Sequence, residues 1–184
     1  MSLEDGDRRT ALRARAHPLR LRMLSLLTGA PMSAAELGRE LGISQALASY
    51  HLRFLVDADA VQLVEEVVNR GGRERRYRYR PDDVMPAAGG HEAEEIELLL
   101  TAAVDELRRR RLEHEPDALN LLIDAELWVQ REDWQAFREA VHEAGVRLES
   151  RALRPRTPGT TRVSVTAMAF EMTAKVEGNG LDRS

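Results

Sequence analysis

Ser33 and Glu36, set three residues apart just ahead of Leu37 and Leu41, constrain this chain more than any other feature. The spacing is that of a capping box, in which each side chain satisfies the other residue's orphan backbone N–H at a helix start. Leu37 and Leu41 then fall on one face. Gly42 follows at once and can take the positive φ that ends a helix. Ser44 caps the next helix, whose inward stripe is Ala48, Leu52 and Leu55. The sequence therefore predicts two short helices joined by a tight turn. The outward face of the second carries Gln45, Ala46, Ser49 and Arg53, with Tyr50 on its flank. It is small and polar at its N-terminal end, as suits a helix entering a groove ~12 Å wide. An ordinary helical hairpin wetted on its outer face would share this pattern, so the pair does not decide the matter alone.

The next stretch adds to it. Val61 to Val68 is β-branched and apolar enough for a strand, and Asn69-Arg70-Gly71-Gly72 is turn chemistry. Between Arg70 and Arg80 stand six Arg against one Glu. Strand alternation puts Arg76, Arg78 and Arg80 on one face and Tyr77 and Tyr79 on the other. The tyrosines can pack inward while the arginines reach phosphates or a minor groove. A charge run is ordinarily a solvated face. This one has a single dominant sign and directly follows the paired helices.

With these stretches in hand, residues 10 to 81 resemble the winged-helix domain of ArsR-type transcriptional regulators. The resemblance rests on His17-Pro-Leu-Arg-Leu-Arg-Met-Leu24, Leu41-Gly-Ile-Ser44, Ala48-Ser-Tyr-His-Leu52 and Gly71-Gly-Arg with Tyr77-Arg-Tyr79. It implies a dimeric, prokaryotic, sequence-specific binder of double-stranded DNA. By position it sends Ser44 to Arg53 into the groove, with Gln45, Ala46, Ser49 and Tyr50 facing bases. His51, Arg53, Arg70, Arg73, Arg75, Arg76 and Arg78 would hold the backbone. Asp59 stands where members of that family usually carry Gly, and Asp tolerates the left-handed region better than most residues.

Charge is unevenly spread. Residues 1–80 hold 14 Arg against 10 acidic residues, whereas residues 81–184 hold 13 basic against 21 acidic. The overall charge of −4 thus hides a basic first part and an acidic second. No apolar run is long enough to span a membrane. The acidic start Met-Ser-Leu-Glu-Asp lacks the apolar stretch of a signal peptide. With no cysteine, neither disulfides nor thiolate metal sites can form. The expectation is a cytoplasmic protein with no membrane partner.

The expected organisation is a DNA-binding domain at 8–81, a second unit at 91–172 and a disordered tail at 173–184. Arg8 to Ala16 reads as helix, and Pro18 opens another. Pro81 to Gly90 is a linker. His91 to about Glu115 reads as one long helix, with Ile96, Leu99, Leu100, Ala103, Val104 and Leu107 along one side. A small domain offers such a helix little to bury against, so Ile96, Leu99, Leu100, Ala103 and Leu107 are assigned to a homodimer interface. Packing against the chain's own C-terminal segment is the alternative. Leu119 to Val129 and Arg162 to Met172 alternate as strands, and Glu132 to about Leu153 reads as helix. The fold class expected is α+β, mainly α: a winged helix-turn-helix, a long dimerisation helix and a C-terminal strand–helix–strand segment.

Other chemistry is thinly represented. His91 and His114 lie 23 residues apart on one helix, ~35 Å along its axis, and cannot share an ion within it. No metal and no cofactor are expected. Asp124, Glu126 and Trp128 on one strand face, with Trp134 near, could line a pocket for a small-molecule effector. A half-wetted strand face beside aromatic packing would look the same. No nucleophile, metal set or phosphate loop points to an enzyme. The alternatives to a DNA-binding regulator are a ligand- or metal-responsive sensor built on it, and a winged-helix module that binds protein instead of DNA.

Overall fold

The computed structural model describes residues 16–69, 72–79 and 93–172. The elements run α1 (Pro18–Gly29), β1 (Met32–Ser33), α2 (Ala34–Leu41), α3 (Gln45–Asp57), β2 (Val61–Asn69), β3 (Gly72–Tyr79), α4 (Ala93–Arg111) and α5 (Arg131–Ser150). The helix expected from Arg8, the linker, the tail, Arg70 and His91 lie outside the described residues.

Local chemistry sets each boundary of the first unit. His17 caps α1, its Nδ1 accepting the Leu19 N–H at 3.1 Å, and Pro18 fills the first helical position. The capping box forms as its spacing requires: Ser33 N–H donates to Glu36 Oε2 at 2.8 Å, and Glu36 N–H to Ser33 Oγ at 3.3 Å. Gly42 ends α2 at φ 68°, and Ser44 Oγ accepts the Leu47 N–H at 3.1 Å to start α3. Asp59, at φ 50°, takes the left-handed bend after α3.

One apolar core holds these pieces together. Met23, Leu24 and Leu27 from α1 meet Leu37 from α2, Ala48, Leu52 and Leu55 from α3, and Met32, Ala60 and Val61. The sheet is antiparallel in the order β1-β3-β2, so β3 lies in the middle. Tyr77 and Tyr79 pack against the core from β3, as the alternation required. A bulge between Leu63 and Glu65 shifts the β2–β3 register beside Tyr77 and Arg76.

Two expectations about the second unit need correction. The long helix α4 does find a seat in its own chain: it lies along α1, with Ile96, Ala102 and Glu106 buried. Glu106 tolerates burial because Arg109 grips both its oxygens at 2.8 Å and Arg110 adds a bond at 2.9 Å. Burial works against the charged Glu106, yet these two guanidiniums hold its carboxyl below the usual range. Ile96, given to a dimer interface from the sequence, is thus consumed within the chain. Leu99, Leu100 and Ala103 are half-buried and Leu107 is exposed.

The second correction concerns the two C-terminal strands. Residues 119–129 and 162–172 enter no ladder, and the helix between them, α5, has no buried residue. Alternation shows which side chains share a face, but a strand also needs a neighbouring backbone to take its N–H and C=O groups. Neither segment finds one among the described residues.

Candidate nucleic-acid interface

Helix α3 is held rigidly from behind. Ala48, Leu52 and Leu55 are buried in the core, which turns the opposite side outward. Ser44, Gln45, Ala46, Tyr50 and Arg53 are exposed, and Ser49 is half-buried beside them. The structure therefore gathers these six sequence-selected residues on one side of α3 and its cap. The approach of α2 to α3 depends on Gly38: a Cβ there would sit 2.9 Å from the Ile43 carbonyl oxygen. Together with Gly42 this sets the tight turn. Arg39, which no local spacing in the sequence marks, is exposed on α2 and shares a shallow depression with Gln45. Its place beside Gln45 could be read only once the turn was known.

His51 is the first correction at this surface. The resemblance gave it to the DNA backbone, but it is 7 % exposed. Its ring lies 4.8 Å from that of His17 and 5.3 Å from that of Tyr50. The signal was present in the sequence: Ala48, His51, Leu52 and Leu55 follow the i, i+3, i+4, i+7 spacing of a buried stripe. Burial pushes the His51 imidazole below its ordinary pKa, helped by His17 and Arg20. His17 is lowered likewise by burial and then Arg20. A row of rings continues from His51 through Tyr50 to Phe54, where the Arg20 guanidinium sits 5.4 Å from the ring centroid. Tyr50 is thus braced on one side and open on the other.

The wing is the second correction. Arg76 turns inward rather than toward a ligand: its side chain is only 16 % exposed. It donates to Glu36 Oε1 at 3.0 Å and to Glu65 Oε2 at 3.3 Å. The capping-box carboxylate of α2 is therefore also the clasp of the wing. Arg73 and Arg75 are exposed but share Glu66, at 3.6 and 3.1 Å. The Glu66 contact raises the pKa of Arg75. Arg78 is half-buried. The sequence run counted only β3; β2 brings Glu65 and Glu66 opposite it, so the described hairpin carries four Arg against three Glu.

Asp124, Glu126 and Trp128, the residues suggested for an effector pocket, are exposed. Trp134 is half-buried, stacked on Phe137 with centroids 6.0 Å apart, and its Nε1–H donates to Glu171 at 3.0 Å. Among the described residues no three His, Asp or Glu side chains gather as a metal cage. No described helix is long and apolar enough to cross a membrane.

A buried three-helix core, a tight α2–α3 turn, an outward α3 and a hairpin on its C-terminal side define a winged helix-turn-helix, a fold of DNA-binding transcription regulators. A family model described as a helix-turn-helix domain matches residues 16–64, from the start of α1 into β2. No curated protein matches the chain.

Proposed function

We propose that the chain is a homodimeric, sequence-specific transcription regulator of the ArsR type that represses from an inverted-repeat operator. The observation that carries this is the outward face of α3. Gln45, Ala46, Tyr50 and Arg53 stand exposed on a helix whose other side is locked in the core. A face pre-set in this way can enter a major groove without paying to be ordered. Gln45 is suited to a bidentate contact with adenine, and Arg53 to a phosphate. Arg73 and Arg75 at the wing's exposed side fit the backbone or a minor groove. Two-fold symmetry would put half-sites one turn, ~34–36 Å, or a multiple apart.

Selection of duplex fragments by the purified chain, followed by binding titrations in varied salt, tests this. An inverted repeat should emerge, and Gln45→Ala should relax preference at one base pair per half-site by ~1–3 kcal/mol. A chain that ignores duplex DNA and heparin at low salt would instead be a protein-binding winged-helix module.

A further inference from the structure

We propose that residues 119–129 and 162–172 are strands whose ladder partners lie in a second copy of this chain. The four segments would form one intersubunit sheet, with α5 of each copy packed over it. This deepens the dimeric reading above and rests on it.

Both segments start and finish at the same places. Asn120 Oδ1 lies 2.6 Å from His114 Nε2, and Arg162 donates to Glu113 at 2.6 Å, so each begins beside the end of α4. The first leads directly into α5. The second returns to the start of α5, where Glu171 accepts from Trp134 Nε1–H at 3.0 Å and meets Arg131 at 3.8 Å. They therefore run the same way. Eleven residues of strand span ~36 Å and the 20 residues of α5 span ~30 Å, the proportions of a strand–helix–strand crossover. The order and lengths are those of a crossover, yet neither segment has a ladder among the described residues.

The side chains show the same deficit. Leu121 is 86 % exposed, Ile123 71 % and Val165 62 %, on the faces that alternation makes apolar. Phe137 and Val141 of α5 are exposed as well. Large apolar residues from Leu119 to Met172, among them Leu121, Ile123, Leu127, Val163 and Val165, are exposed in sequence-adjacent runs, and their summed area, on the order of 1,000 Å², exceeds the ~300–600 Å² of the largest patch on a typical monomer. It matches the ~800 Å² each partner gives to a stable complex. A second copy brings the same two alternating segments, the same missing ladders and the same uncovered helix. It can therefore satisfy all three at once.

The test uses the full chain, combining sedimentation with amide exchange at concentrations above and below dimer dissociation. The expected result is a dimer in which both segments exchange at least ~100-fold slower than free peptide, with protection lost on dilution. Ile123→Lys and Val165→Lys should each abolish the dimer and the protection of both segments while the 16–79 unit still melts cooperatively. Because the chain has no natural cysteine, single Cys variants along both segments can be oxidised in mixtures of isotope-labelled and unlabelled chains. Disulfides joining labelled to unlabelled chains support the sheet, since facing strand residues lie within disulfide reach. A dimer with both segments unprotected overturns the sheet and leaves the dimer standing. A monomer overturns both readings. Protected segments in a dimer that cross-link only within one chain show an internal sheet, and the proposal falls.

Discussion

Arg76→Ala separates a clasp from a DNA contact. In the structure the guanidinium joins Glu36, whose side chain is 18 % exposed, to Glu65, which is 47 % exposed. Removing one partner of a fully buried ion pair costs ~3–5 kcal/mol, and an exposed pair is worth ~0.2–1 kcal/mol. The Glu36 pair lies between these limits and the Glu65 pair near the lower one, so a loss of about 2 kcal/mol is expected. Arg154, 3.7 Å from Glu36 and 56 % exposed, replaces little of it. For a chain of this size that lowers Tm by roughly 4–8 °C. Glu36→Gln should give a related loss, and the double variant should fall well short of the sum. DNA binding supplies the contrast. Arg53→Ala should leave Tm near the parent value and flatten the salt dependence of binding by about one counterion, whereas Arg76→Ala should leave that slope unchanged. Wild-type melting together with a flattened slope for Arg76→Ala would show that Arg76 touches phosphate and that the clasp is incidental.

Two further outcomes follow from packing and titration. Gly38→Ala, which in an open helix would add about 0.5–1 kcal/mol of stability, should here destabilise by ~1–3 kcal/mol, because the new Cβ meets the Ile43 carbonyl oxygen at 2.9 Å. A melt at or above the parent Tm would show that the turn has slack. His17 and His51 are both held below the ordinary histidine value of 6.5, first by burial. The unfolded chain therefore takes up protons that the fold resists. Stability should be full above about pH 6.5 and fall as pH drops below it, with His51→Gln shallowing the decline. A protonated His17 would also lose the Nδ1 lone pair that caps α1. A Tm flat from pH 7.5 to 5.5 would refute this.

The first unit was largely legible because its signals are local. Ser33 with Glu36, Gly42, Ser44 and Pro18 act on backbone within a turn of themselves, so their spacing carries their meaning. Leu37, Ala48, Leu52 and Leu55 were readable as core for the same reason, since helical period fixes a face without reference to the rest of the chain. His51 follows the same period and is buried with them, although the family resemblance assigns it to DNA. The exposed face from Ser44 to Arg53 follows as the complement of the stripe.

What position along the chain could not tell was who meets whom. Arg76 and Arg75 are neighbours in one run, yet β3 in the middle of the sheet carries Arg76 to a carboxylate forty residues earlier. Arg75 stays at the surface on Glu66. Likewise α4 is amphipathic by sequence, and only the fold decides that Ile96 is buried while Leu107 remains outside. Helices close their hydrogen bonds within themselves, so sequence alone could place all five described here. Strands and ion pairs are completed by distant or separate chain, and the alternating segments 119–129 and 162–172 therefore declare a face but not a partner.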